Sequence, residues 1–195
     1  SPSSKATFTH PASLLKNWNG LPDPAEAAPA VIKRYLSAYG PATPETFDAW
    51  LSRNSNKKST LRSWFASLGE QIVEVRVEGE TRYLLAEHAD ELAATRPSRA
   101  THLLGAFDQF VLGPGTKDTH MLAHEHRPLV SKAAGWIAPV LTQGGRITGV
   151  WEMDDGNLVV SPFPGEQAPP SQVLEDAAAR LAAVHGSVKV TPRVD

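Results

Sequence analysis

Between Glu26 and Ala86 the apolar residues change their spacing, and that change constrains the fold more than any other feature of the chain. Val31, Ile32, Tyr35, Leu36 and Tyr39 recur at helical intervals and give one apolar face. Gly40-Pro41 ends that helix, since glycine suits a left-handed cap and proline cannot continue the hydrogen-bond ladder. Thr43-Pro44 opens a second helix, with Thr43 as N-cap, Pro44 in the first turn and Glu45 near the positive helix end. Phe47, Trp50 and Leu51 form its inner face, and the polar stretch from Ser52 to Lys58 reads as a turn. Leu61, Trp64, Phe65 and Leu68 then mark a third helix that stops by Gly69. After Gly69 the period falls to two. Ile72 to Val77 and Thr81 to Leu85, separated by Glu78-Gly79-Glu80, predict a short β-hairpin.

Three helices followed by a hairpin is the element order of a winged helix, a variant of the helix-turn-helix. The flanks read differently. Residues 1–24 are rich in Ser, Pro, Asn and Gly and predict an arm or linker, with Leu14, Leu15 and Trp18 as anchors onto the body. Leu92 to Ser98 reads as a connector. Beyond it, strands are expected at Leu103-Leu104, Phe107 to Leu112, Trp136 to Leu141, Ile147 to Met153 and Leu158 to Phe163, with hairpin turns at Gly144-Gly145 and Asp155-Gly156. A helix opening at Ser171, with Val173, Leu174, Leu181 and Val184 on its apolar face, ends at Gly186, and Val188 to Val190 is a candidate edge strand. The expected fold class is α+β. A winged helix over residues 25–97 precedes a small barrel-like or sandwich-like β domain with a C-terminal helix over residues 98–195.

Composition narrows the function classes. There is no cysteine, so neither disulfides nor thiolate metal sites arise, and a reducing cytoplasm is the expected compartment. No apolar run reaches the length of a membrane span, and no secretory signal is visible at the start. The first residue is not methionine, from which a fragment or processed product is expected. Net charge is −2, so the chain is not basic as a whole and any surface for polyanions must be local.

One such surface is visible. From Ala49 to Gly69 there is no acidic residue, while Arg53, Lys57, Lys58 and Arg62 are basic. In a winged helix this region enters the major groove of duplex DNA, where cations neutralise phosphates. Ser55, Asn56, Ser59 and Thr60 add hydrogen-bonding groups for phosphates or base edges. Across residues 26–86, however, eight basic residues face seven acidic ones, which also fits a solvated face or a protein-docking module. On the hairpin, Arg76 and Arg82 flank the turn and reach for an adjacent groove. Glu74, Glu78 and Glu80 oppose them, and a merely solubilising hairpin is the competing reading.

Other chemistry-bearing residues take bland readings. His120, His124 and His126, with Asp118 and Glu125 nearby, lack a metal-site signature and read as a polar loop rather than a metal site. Asp108, among apolar neighbours, reads as a hydrogen-bonded aspartate at a strand bend rather than a catalytic acid. Trp136 and Trp151 read as core residues rather than base-stacking platforms. Gly113-Pro114-Gly115-Thr116-Lys117 is too short and too broken by proline for a phosphate loop. No catalytic residue, metal or cofactor is assigned.

The chain resembles a family in three stretches. Tyr35 to Pro44 with Trp50-Leu51, Leu103 to Gly113, and Gly135 to Val140 with Gly145 to Trp151 are similar, in that order, to motifs of the bacterial winged-helix DNA-binding proteins that include the AlkZ-like DNA glycosylases. The similarity runs from about Pro24 to the C-terminus. It implies tandem winged helices closed by a C-terminal β-barrel, of which this chain holds the last winged helix and the barrel. It also implies excision of alkylated bases and unhooking of interstrand crosslinks, with double-stranded DNA as partner. The family's Gln–apolar–Gln catalytic motif lies in an N-terminal region. Here Gln71, Gln109, Gln143, Gln167 and Gln172 include no two separated by one residue, and Gln109 stands where the family more often has proline. The expectation is a DNA-binding module of a DNA-repair glycosylase, lacking that motif. The alternatives are a protein-interaction winged helix and the C-terminal half of an active enzyme.

Overall fold

The computed structural model describes residues 7–154, 157–185 and 192–194. Helix α1 spans Pro24–Tyr39, with the Asp23 carboxylate accepting from the Ala25 amide at its start. It ends at Gly40, which is extended (φ −70°) rather than left-handed, and the Gly40–Pro41 peptide is cis. The glycine is needed there for space, because a Cβ would collide with the Leu36 carbonyl. Helix α2 spans Pro44–Ser52. Its N-cap Thr43 closes a capping box with Thr46. Helix α3 spans Lys58–Ala66, then strands β1 (Ile72–Val77) and β2 (Glu80–Leu85) pair antiparallel. Ile32, Tyr35, Leu36, Phe47, Leu61, Phe65, Leu68 and Leu85 share one core, so the expected apolar faces of α1 and α3 turn inward, and α2 contributes Phe47. Trp50 and Leu51, expected on an inner face, are substantially exposed.

The rest is organised by a sheet. A short helix α4 (Ala89–Ala94) stands where a connector was expected to begin. Strand β3 (Thr101–Leu104), β4 (Val140–Gln143), β5 (Arg146–Asp154), β6 (Asn157–Pro162) and β7 (Pro192–Val194) lie in sequence order in one sheet. Pairing is antiparallel except between β6 and β7, which is parallel. Among the described residues the sheet is open, with β3 and β7 at its edges, so the expected barrel is not closed. The burial pattern gives the reason. Leu103, Leu141, Trp151, Leu158 and Val160 on one face pack against Leu174, Ala177 and Ala178 of helix α7 (Ser171–His185). Val140, Ile147 and Phe163 pack with Val111, Met121, Leu122, Val130 and Ile137 in a separate core. A sheet with both faces already covered has no interior left to enclose.

Two strand expectations shift. Residues 109–112 form a short helix, α5, capped by Asp108, whose carboxylate accepts from the Phe110 amide, and a second short helix, α6, spans Arg127–Val130. Trp136 precedes β4 and is half-exposed, in edge contact with Phe107, so it is not a core residue. Trp151 is buried and donates its indole N–H to the Leu104 carbonyl. A strand near the C-terminus is β7, Pro192–Val194; the expectations at Val188 to Val190, Gly186 and the Asp155-Gly156 turn fall outside the described residues. Leu14 and Leu15 are exposed, not anchored, and Trp18 packs edge-on against His10.

Candidate nucleic-acid interface

The corner between α2 and α3 is built around a buried carboxylate. Asp48 accepts from Ser52 Oγ at 2.6 Å, from Asn56 Nδ2 at 2.7 Å and from the Asn56 amide at 3.3 Å. Ser52 Oγ in turn accepts from the Ser55 amide and from Asn56 Nδ2, both at 3.0 Å. Around this knot Arg53 and Asn54 adopt left-handed conformations (φ 56° and 65°), and their amides donate to the Asp48 carbonyl. The chain reverses within a few residues, and the Arg53 side chain points to solvent.

Helix α3 extends the same surface. Leu61 and Phe65 face the core, while Lys57, Lys58, Ser59 and Arg62 are exposed. Lys57 is the N-cap and supplies no side-chain cap, so the positive helix end is not neutralised locally. Arg62 Nε donates to the Lys58 carbonyl at 3.3 Å, which angles its guanidinium along the helix. Among the described residues no ion pair engages Arg53, Lys57, Lys58 or Arg62.

On the hairpin the two arginines part company. Arg76 is exposed and donates to Thr81 Oγ1 at 2.9 Å. Arg82, expected to reach for a DNA groove, is buried. Strand alternation puts it on the same side as Leu84, facing the loop that contains Asp118. Its guanidinium contacts Glu80 at 2.9 Å, Asp118 at 3.0 Å, the Pro41 carbonyl at 3.4 Å and His120 Nδ1 at 2.7 Å. Arginine only donates, so Nδ1 of His120 accepts from it, and the Nε2 atom faces Glu78 at 3.6 Å. Burial pushes the Arg82 value down, but the hydrogen bonds and charges of Asp118 and Glu80 outweigh it and hold the group above its ordinary value. Burial likewise pushes the Asp118 carboxyl up. The Arg82 hydrogen bond, the His120 amide and the nearby positive charge overcome this and hold it below the usual carboxylate value.

A groove of about 840 Å³ runs from Arg53 and Asn54, past Glu78 and Glu80, to the loop from Pro114 to His120. Tyr35 Oη donates to the Gly113 carbonyl and Tyr39 Oη to Gln109 Oε1, both at 3.3 Å. The Tyr39 ring lies so close to Gly113 that a Cβ there would fall inside it. These contacts fix the loop against α1. Among the described residues His120, His124 and His126 do not join in a three-ligand cluster suited to a metal ion. Sequence reasoning missed Asp48 as a turn brace, and it read Asp118 only as a neighbour of the His120, His124 and His126 group, not as the partner of Arg82. Asp48 carried a signal, since Asp–x–x–x–Ser–x–x–x–Asn places three polar groups at one helix end. Asp118 carried none, because its partner arrives from a distant strand.

The chain matches the family described as DNA glycosylase AlkZ-like over residues 3–184. It is 53% identical over 191 residues, 97% of its length, to an interstrand DNA cross-link repair glycosylase of Streptomyces sahachiroi, of which it covers 52%. The solved structure of the Streptomyces sahachiroi DNA glycosylase AlkZ superimposes with a TM-score of 0.92 at 53% identity, over 96% of this chain and 51% of that one. The chain thus spans about half the length of the relatives it matches.

Proposed function

The chain belongs to the AlkZ-like DNA glycosylase family, and from that membership we propose that it supplies duplex-DNA binding to a DNA-repair glycosylase. Residues 25–97 act as a winged helix and residues 98–195 as the domain that props it. Arg53, Lys57, Lys58, Ser59 and Arg62 contact the phosphate backbone, with Arg76 at the hairpin edge. Arg82 is left out of this set, because its guanidinium is spent on two carboxylates. The observation that carries the proposal is the row of exposed cations from Arg53 to Arg62, without an ion pair among the described residues, on a corner whose backbone is fixed by Asp48. Unpaired positive charge on a rigid surface favours a polyanion over a neutral protein partner.

Binding is expected to be weak, salt-sensitive and little dependent on sequence. Fluorescence anisotropy with a labelled duplex at low and moderate salt tests it. An affinity that does not change between the two removes phosphate neutralisation as the mechanism.

A second reading has its own support. The chain aligns with about half of a cross-link repair glycosylase. We infer that base excision, which needs a base held out of the stack, draws its catalytic groups from a region outside this sequence, an N-terminal winged-helix part. The cytoplasm is the proposed compartment. Release of a damaged base from alkylated or crosslinked duplex by the full-length protein, measured against this chain alone, tests that division of labour.

A further inference from the structure

Two turns beside the five-stranded sheet each hold an aromatic ring out of the core. Phe107 follows β3 in a left-handed conformation (φ 58°), which a bulky side chain adopts only under strain. Residues 132–136 form the second turn, where Ala134 is also left-handed (φ 56°) and Gly135 has φ 76°. The rings of Phe107 and Trp136 meet edge to face, with centroids 5.0 Å apart and planes at 86°. The pair is not covered, however. Trp136 is 50% exposed and Phe107 42%.

Both turns are anchored from behind. The Lys132 amide donates to the Trp136 carbonyl at 2.8 Å and the Ala138 amide to the Val130 carbonyl at 2.9 Å, and Val130, Ile137 and Ala138 are buried. After Phe107, Asp108 caps α5, whose Val111 is buried. The sequence around the rings carries positive charge. Lys132 is exposed, stands across its turn from Trp136 and has no ion pair among the described residues. No acidic residue occurs from Leu92 to Phe107 or from His126 to Trp151. Asp108 is the exception beside Phe107, and its carboxylate is engaged by the Phe110 amide at 2.8 Å.

We propose that Phe107 and Trp136 form a stacking platform for an unpaired nucleobase, with Lys132 on the adjoining phosphate. Rings kept exposed on strained, anchored turns mark a binding surface rather than packing. Exposed rings alone suit a protein partner equally well. The lysine beside the indole, and the engagement of the one neighbouring carboxylate, favour a ligand that joins a flat ring to an anion, which is a nucleotide. The base is unpaired because inside a duplex both of its faces are already stacked. The assignment rests on the nucleic-acid reading above. It adds a preference that phosphate contacts alone do not give, for DNA with a base out of the stack over an intact duplex.

The test uses the whole chain. Anisotropy across a salt series compares an intact duplex with the same duplex carrying one unpaired thymine, for the wild type, Trp136→Leu, Trp136→Phe and Lys132→Gln. The wild type is expected to prefer the bulged duplex by about tenfold, the size of one base stacked on an aromatic ring. Trp136→Leu should abolish that preference and Trp136→Phe should keep most of it, while both bind intact duplex as the wild type does. Lys132→Gln should lower the salt slope for the bulged duplex by about 1. In parallel, a short oligothymidylate is added while the indole N–H signals are followed by NMR, the Trp136 signal being the one absent from Trp136→Phe. That signal should shift. A shift without a preference for the bulged duplex keeps the platform and assigns it to single strands. No preference together with an unmoved Trp136 signal overturns the proposal and leaves the α3 interface standing, as does a preference that survives Trp136→Leu. A sedimentation coefficient that falls on Trp136→Leu, with the signal unmoved by oligothymidylate, assigns the rings to a protein contact and also overturns it. Intact duplex bound without any salt slope sinks the α3 interface, while oligothymidylate still judges the platform.

Discussion

The α2–α3 corner and the β1–β2 hairpin both carry arginines on short polar stretches, and they use them in opposite ways. At the corner the buried group is the acid, Asp48, and the cations stand outside it with no ion pair among the described residues. At the hairpin the cation Arg82 is buried and its acids come to it, one of them from Asp118 in another part of the chain. A basic residue is therefore available to a ligand only where no distant carboxylate claims it, and local sequence does not record that. The corner is a surface held rigid by its acid; the hairpin is a surface clasped to the body by its base.

The sharpest way to break this contrast is Asp118→Ala. It strands the buried Arg82 with Glu80 as its one remaining carboxylate. The expected cost is about 3 kcal/mol, toward the lower end for a broken buried pair. Chemical denaturation reads it directly. Replacing the pair together, Arg82→Met with Asp118→Leu, should recover most of that loss, because no uncompensated charge remains. A double variant as unstable as the single one would show that the pair is not the clasp.

The same carboxylate sets an acid dependence. The Asp118 value is depressed in the folded protein, so the folded state binds fewer protons than the unfolded state below the ordinary aspartate value of about 3.9. The stabilisation is fully present above that value and is lost as pH falls through the folded one. Asp118→Asn, which does not titrate, should therefore flatten the stability curve below about pH 4 while leaving its neutral slope unchanged. Thermal melts from pH 6 to pH 3 on both proteins make the comparison.

At the corner the equivalent lesion is Asp48→Ala. It removes the acceptor of Ser52 Oγ and of two Asn56 N–H groups, at an expected cost of about 2 kcal/mol. Unlike the hairpin variant it should also weaken DNA binding, because the turn presenting Arg53 loses its brace. Paired denaturation and anisotropy measurements separate the two surfaces.

How far the sequence spoke follows the same division. The three helices and the hairpin were legible because their signals are local: apolar spacing, Thr43-Pro44 at a helix start, and Glu78-Gly79 at a turn. The exposed cations of α3 were legible because they sit opposite an apolar stripe of Leu61 and Phe65. Phe107 to Leu112 misled, since a short apolar run fits a strand or a helix, and Asp108 as a cap decided it. The open sheet was not legible either, because closure depends on which faces α7 and the core around Val111 and Leu122 occupy. Arg82 was misplaced for the most instructive reason: its partner is distant in sequence.

The smallest expected effects lie on α3, and they complete the contrast. Lys58→Ala and Arg62→Ala each remove an exposed side chain with no ion pair among the described residues, so stability should change by no more than about 0.5 kcal/mol. Each should nevertheless lower the salt slope of duplex binding by about 1, whereas a neutral change at Arg82 should cost stability first. A cation that matters to binding and not to folding is the signature of a surface held open for a polyanion. If Arg62→Ala unfolds the protein as readily as Asp118→Ala does, the two regions are not different in kind and the corner is structural too.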